Sequence, residues 1–458
     1  MMGQLDAAGH ELTPRPEEAD VIVVNTCSFI NPAKQESVET ILEMAEYKKI
    51  GRAQRLVVAG CLVERYREDI RKEIPEVDAV LGTNELAKIT ALCEGLTPDE
   101  SPLVPYLYHD LTARIFTTPR HSAYIKIAEG CDHPCSFCVI PQFRGHFRSR
   151  RFESVINEAV RMFATGVREI NLIGQDTTCY GEDLGLKDGL AQLLARLAEL
   201  PSERAKWIRF LYAYPNRVTQ RLLDTIAEHD SLVKYIDMPL QHASASVLKR
   251  MKRGANADIF LKLLERVRCT IPGVAIRTSM IVGFPGETQA DFEELLQFVE
   301  TAQFDRLGVF AYSDEETSGS YHLEGKVESR TIENRKRRLL AAQRKISKRR
   351  NRELIGRELP VLIEGVSPET ELLWHGRLST QAPEIDGCCY INDFGPRVQP
   401  RPGEMAVLRV TEAHDYDLVG ELVGEPELEP RTASTVNQST VNPFPILTSH
   451  PAQTYSAR

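Results

Sequence analysis

No stretch of the 458-residue sequence approaches the roughly 18 consecutive apolar residues that a membrane-spanning helix needs, so no membrane partner is expected. The opening MMGQLDAAGHELTPRPEEAD has neither a basic start nor an apolar core, so no secretory signal or transit peptide is expected and the cytoplasm is the expected compartment. Cysteine is sparse. Ten in so long a chain are too few for a disulfide scaffold, yet three fall within eight residues, which points to metal chemistry under reducing conditions. Excess positive charge is missing too, and a net charge of −9 argues against a generic nucleic-acid binder. No internal repeat is evident. What remains is globular, with 42% hydrophobic and 26% charged residues and a length of about three domains.

Residues 1–100 hold two short β-rich runs, Asp20 to Val24 and Leu56 to Ala59, each ending in a cysteine-bearing turn, Asn25-Thr26-Cys27 and Gly60-Cys61. Ala33 to Lys48 between them has helical spacing. The pattern predicts an α/β unit with a cysteine just past each of two strands, where α/β folds place their sites. Residues 101–120 read as a linker.

Over 121–330, six β-type runs alternate with helical segments: Tyr124 to Ala128, Ile170 to Ile173, Ile208 to Tyr212, Tyr235 to Met238, Ile276 to Val282 and Leu307 to Phe310. Such alternation predicts parallel strands with crossover helices, and six units fall short of the eight that close a full barrel, so an open, partial barrel is expected. Residues 331–356 form a basic linking helix. Its stretch 335–352 carries ten Lys or Arg and no acid, and reads either as a solvated connector or as a phosphate-contacting surface. Residues 357–424 suit a small all-β barrel, but hold five Lys or Arg against twelve Asp or Glu, a charge of −7 that repels phosphate unless the acids face away. The tail, 425–458, is rich in Pro, Ser and Thr and is expected to be disordered.

The chemistry concentrates in Gly130-Cys131-Asp132-His133-Pro134-Cys135-Ser136-Phe137-Cys138, a CxxxCxxC loop after the first barrel strand. Three thiolates this close bind three corners of a cube-shaped iron–sulfur cluster and leave one iron open. Zinc, with His133 or a distant residue as fourth ligand, is the structural alternative, although structural zinc sites usually come as two separated pairs. A redox disulfide would leave the third thiol without a role. An open iron on a reduced cluster holds the amino and carboxylate groups of S-adenosylmethionine and passes an electron to its sulfonium, releasing a 5′-deoxyadenosyl radical. In this setting the motif resembles the radical S-adenosylmethionine (SAM) superfamily, whose fold is a partial barrel of six β/α units.

The order of N-terminal α/β unit, barrel and small β domain, over residues 1 to about 424, looks like the methylthiotransferases of that superfamily. The fold class expected is therefore α/β: an N-terminal methylthiotransferase domain, a partial (β/α)6 barrel and a small TRAM-like β-barrel. The resemblance implies two 4Fe-4S clusters, one on Cys131, Cys135 and Cys138 and an auxiliary one to which Cys27 and Cys61 contribute. Family members carry a third auxiliary cysteine in a Gly-Cys-Pro-Lys-Asn-like turn after an initial strand. Neither is present ahead of Cys27, so the N-terminal domain is expected incomplete and the second cluster one ligand short. Cys93, in KITALCEGL, matches no family ligand and reads as a core thiol. Cys388 and Cys389, adjacent on a β-type run, point to opposite faces and receive no chemistry.

The segments GQDTTCYG (174–181), MPLQHAS (238–244) and APEIDG (382–387) resemble the branch that inserts a methylthio group at the β-carbon of an aspartate in ribosomal protein S-twelve. That resemblance implies two SAM molecules per product, a low-potential electron donor, and ribosomal protein S-twelve as substrate, free or within the small ribosomal subunit. The acidic C-terminal domain independently suits a basic ribosomal protein better than RNA. A transfer-RNA adenosine methylthiotransferase and a non-catalytic iron–sulfur module are the alternatives. Candidate SAM contacts are Gln175 and Asp176 ending the second barrel strand, Gln241 ending the fourth, and Arg277 on the fifth; His242 ends the fourth strand beside Gln241 and faces the same mouth, and both alternatively stabilise the loop there. Asp176 alternatively caps its loop and Arg277 alternatively forms a structural ion pair. Gly283-Phe284-Pro285-Gly286-Glu287-Thr288 resembles the family's nucleoside-contacting strand end, though such runs are commonly plain turns.

Overall fold

The computed structural model describes residues 1–97, 106–202, 204–396 and 399–424; the expected tail and part of the expected linker lie outside these. After a short helix, Met2–Ala7, come three parallel strands, β1 (Val21–Thr26), β2 (Arg55–Gly60) and β3 (Ala79–Leu81), paired in that order. Alternation along them buries Ile22, Val24, Leu56, Val58 and Val80 with Ile41 and Ala45 of the helix Asn31–Ile50. The opposite face buries Val57, Ala59 and Leu81 against Ile89 and Cys93, so Cys93 is indeed a core thiol. The unpaired edge of β1 lines a cavity of about 1460 Å³, whose far wall includes Tyr124, Lys126 and Gln175.

Six parallel strands follow: β4 (Ser122–Lys126), β5 (Glu169–Ile173), β6 (Trp207–Phe210), β7 (Tyr235–Asp237), β8 (Ala275–Val282) and β9 (Arg306–Ala311). They run in sequence order as two three-stranded halves joined by the Ile208–Leu232 bridge, an open barrel. Three of the expected runs end early, the fourth by only the one residue Met238. Ala128 leaves the first strand to pair, with Glu129, antiparallel to Arg148–Ser149, and Tyr212 lies beyond the third in the left-handed region at φ +66°. One side chain in two faces the outer helices: Ile125, Ile170, Leu172, Ile208, Phe210, Ile276 and Met280 pack with Val155, Leu194, Leu223, Leu264 and Leu295 in the largest core.

The alternate set fills the lumen and is strongly polar at the N-terminal ends of the strands. Glu169, fully buried, lies 3.1 Å from Arg209 and 2.6 Å from Arg377. Arg377 belongs to the C-terminal barrel, which closes in the order β10 (Glu358–Val366), β11 (Trp374–Leu378), β12 (Cys389–Asp393), β14 (Leu418–Val423), β13 (Met405–Ala413). Asp386 from the same barrel accepts the Tyr235 hydroxyl at 2.7 Å and lies 3.8 Å from Arg277, which in turn pairs with Asp237 at 2.7 Å. The C-terminal barrel thus seals the lumen floor with ions.

The helix Ser329–Arg352 bridges both barrels. Arg335 pairs with Glu287, Arg338 with Glu293 and Arg350 with Asp305, while Arg344 and Lys348 reach Asp415 of the small barrel. Of its two readings, these contacts favour the connector. Among the described residues, no helix is long and apolar enough to cross a membrane.

Burial alone would raise the Glu169 carboxyl, but Arg377 and Arg209 outweigh it and hold its pKa at about 2. A depressed carboxylate stabilises the fold above its unfolded pKa of 4.5, and that contribution is lost as pH falls from there toward 2. Glu169→Gln removes the charge and leaves two buried arginines without it, so thermal unfolding should show a loss of about 3–5 kcal/mol at neutral pH. A loss below about 1 kcal/mol would contradict the role given to this ion cluster.

Candidate functional site

The CxxxCxxC loop is built as a pinned hairpin. Pairing of Ala128–Glu129 with Arg148–Ser149 closes residues 130–147 at their base, at the C-terminal mouth of the barrel. Gly130 sits at φ +82°, and a Cβ there would stand 2.2 Å from the His146 carbonyl oxygen, so only glycine fits. Its N–H donates to Gln175 Oε1 at 2.9 Å. Ser136 fastens the middle of the loop, its N–H to the Met251 carbonyl at 3.1 Å and its hydroxyl to that of Arg250 at 2.8 Å.

Cys131, Cys135 and Cys138 are half-buried, free of disulfides and within electrostatic reach of one another. Burial pushes Cys131 up to about 11 and Cys138 up to about 12. Such thiols become ligands when a metal displaces their protons. The donor set fits a cluster held at three corners, with His133 turned away into another bond.

That bond is to Asp176: His133 Nε2 lies 2.6 Å from its Oδ2, and the imidazole stacks on Tyr214 at 3.7 Å with 9° between planes. Asp176 also accepts from the Thr178 N–H at 2.8 Å and the Cys179 thiol at 2.9 Å. Burial disfavours its charge, but these donors, His133 first, keep the carboxyl below its usual range. Of the expected SAM contacts, Gln175 and Asp176 therefore tie the cysteine loop to the end of β5, and Asp176 makes the loop cap weighed as its alternative. Gln241 lies four residues beyond the end of β7 with φ +73°, its backbone paired to Ser279 and Ile281 of β8. Arg277 is not brought to the cysteines: it belongs to the ionic floor, as the structural-pair reading had it. His242 does not face the mouth. It is fully buried 3.8 Å from Glu287, and burial lowers its pKa to about 3. The 283–288 run is a turn in which Glu287 accepts from the Gly283 and Phe284 N–H groups.

The second cysteine set, Cys27 and Cys61, reaches the loop that bears the first through Arg144. Cys27 follows β1 and Cys61 opens the helix Cys61–Glu73 after β2; the register Thr26–Gly60 and the bond from Ser28 Oγ to the Cys61 carbonyl at 3.0 Å bring them together. Arg144, at the end of the short helix Ile140–Arg144 in the cysteine loop, donates to Cys61 Sγ at 3.3 Å and lies 3.5 Å from Glu129. Lys34 and Arg65 converge on buried Glu315, beyond β9, at 2.8 and 3.1 Å. Both cysteine sets thus line one mouth. Arg144, Tyr214 and the nearby Arg253 carried no sequence signal, because each acts through a neighbour remote in the chain.

Residues 125–299 match the radical SAM superfamily, residues 355–423 the TRAM domain and residues 1–82 the uncharacterized protein family UPF0004. Among solved structures, the radical S-adenosylmethionine methyltransferase TsrM from Kitasatospora setae shares the fold, with a TM-score of 0.50 at 14% identity over 66% of each chain. The class is a radical SAM enzyme, which implies a 4Fe-4S cluster and S-adenosylmethionine. The chain is 73% identical over 430 residues to the ribosomal protein uS12 methylthiotransferase RimO of Solibacter usitatus (strain Ellin6076), covering 94% of this chain and 92% of that one. It is 55% identical over 470 residues to the protein of the same name from Koribacter versatilis (strain Ellin345), covering 92% and 93%. The chain belongs to the RimO family of ribosomal protein uS12 methylthiotransferases.

Glu315→Ala strips Lys34 and Arg65 of their shared carboxylate. Amide hydrogen exchange should then quicken across β1 to β3 while β4 to β9 stay protected; unchanged exchange would show that this clamp does not hold the N-terminal unit in place.

Proposed function

We propose that this chain is a radical SAM methylthiotransferase that acts in the cytoplasm on ribosomal protein uS12, inserting a methylthio group at the β-carbon of an aspartate. The observation that carries the reading is the meeting of two cysteine sets at one barrel mouth, with Arg144 of one loop on the Cys61 sulfur of the other. Cys131, Cys135 and Cys138 hold the 4Fe-4S cluster, which with S-adenosylmethionine supplies a radical able to remove an unactivated hydrogen. Cys27 and Cys61 contribute to a second cluster, the source of the sulfur.

This chain's own part is positioning and exclusion of water. Gln175 and Asp176 set the cysteine loop against β5 and border the S-adenosylmethionine site. Gln241 borders it from β7, and Arg277 supports it from the floor through Asp237. The ionic floor closes the lumen below, leaving the mouth as the entrance for the substrate. A C-terminal barrel of charge −7 beneath that lumen favours a basic protein segment over nucleic acid, and Arg335, Arg338, Arg344, Lys348 and Arg350 of the helix Ser329–Arg352 are paired within the fold. A low-potential electron donor completes the system.

Cys135→Ala should abolish 5′-deoxyadenosine formation from S-adenosylmethionine under anaerobic reduction, a loss of at least ~10³-fold for a residue acting only through the bound group. Persistence of the product in that variant, or its absence from the parent protein, would overturn the reading in favour of another ligand set or a non-catalytic iron–sulfur module.

A further inference from the structure

Several buried arginines in this fold come with carboxylates. Arg65 has Glu315, Arg150 has Glu158, Arg209 and Arg377 share Glu169, and Arg335 has Glu287. Arg253, only 7% exposed, does not: among the described residues no carboxylate lies within ion-pair distance of it. Its Nη2 donates to the Pro239 carbonyl at 2.5 Å, and its guanidinium carbon lies 4.4 Å from the centre of the Tyr214 ring on which His133 stacks. Its Nη1 points at Cys135 Sγ, 3.6 Å away. The backbone is set for this reach: the helix Ala245–Arg250 ends in a turn with Lys252 at φ +57°, and the Arg253 N–H returns to the Leu248 carbonyl at 2.8 Å.

A buried cation without an anion is costly, and a neutral carbonyl and an aromatic face compensate it only in part. The missing anion is the one that three thiolates and an iron–sulfur cube would bring. Resting on the assignment of Cys131, Cys135 and Cys138 as cluster ligands, we infer that Arg253 is the counter-charge of the barrel cluster, donating an N–H to the Cys135 sulfur and holding the cluster's reduction potential up. Positive charge and hydrogen bonds at cluster sulfurs stabilise the reduced, more negative state, the direction that eases reduction by an electron donor. Arg253 acts through Cys135 and is a positioning residue. Tyr214 keeps its guanidinium in line, and His133 and Asp176 keep Tyr214 in place.

The test uses the full chain carrying Cys27→Ala and Cys61→Ala, so that only the barrel cluster contributes, reconstituted anaerobically and free of S-adenosylmethionine. Iron content and the midpoint potential, followed by electron paramagnetic resonance, are compared between this parent, Arg253→Gln and Arg253→Lys. The inference expects the Gln variant to shift to a more negative potential and the Lys variant, which keeps the charge, to shift less. If Gln prevents cluster assembly in a protein whose circular dichroism is unchanged while Lys permits it, the counter-charge role is supported at the assembly step. Equal potentials in all three, or equal shifts or equal iron loss for Gln and Lys, would overturn it. So would a Gln variant altered only in S-adenosylmethionine affinity, which would place the guanidinium on the ligand rather than on the cluster. A parent without a four-iron signal would instead refute the ligand assignment itself, and the inference with it.

Discussion

An open barrel of six strands leaves its lumen unfilled, and the charge cluster around Glu169 is what closes it. One fully buried carboxylate, shared by Arg209 of the barrel and Arg377 of the C-terminal domain, binds two units into one body. Asp237, Arg277, Asp386 and Tyr235 continue the layer beside it. Removing either partner of such a set strands a charge in a low-dielectric site, so the C-terminal barrel is fixed beneath the lumen and not tethered beside it. The fixed floor leaves one way in, the mouth at the C-terminal ends of the strands, and the cysteines are there.

The mouth is organised by the same logic on a smaller scale. A two-residue antiparallel ladder and one obligatory glycine pin the CxxxCxxC loop, and Gln175 and Asp176 hold it to β5. Arg144 and Glu315 then draw the N-terminal unit over it, so that Cys61 faces the loop that bears Cys131, Cys135 and Cys138. A reaction that needs a radical source and a sulfur source in sequence requires this proximity, because neither group can migrate through the protein.

The six barrel strands and the cysteine motif were legible because each is written locally, in short apolar runs between helices and in three thiols at fixed spacing. Strand ends were less so. Tyr124 to Ala128 reads as one apolar run, but the chain turns after Lys126 to start the hairpin, which no local pattern announces. Arg277 and His242 show the main limit: a charged or titratable residue near a strand end looks the same whether it faces the lumen, the floor or the core. Asp237 and Asp386 claim the first, and packing against Glu287 buries the second. Arg253 and Tyr214 were invisible for the converse reason, since each gains its meaning only where loops after different strands converge.

A mouth so built is suited to modify a protein and not an RNA. The most direct measurement is the mass of ribosomal protein uS12 and of its proteolytic peptides after anaerobic incubation with the reduced enzyme and S-adenosylmethionine, beside nucleoside analysis of transfer RNA treated alike. The expected result is the mass of one methylthio group gained on an aspartate-containing peptide and no change in the RNA. Methylthioadenosine in the RNA with the ribosomal protein unaltered would contradict it.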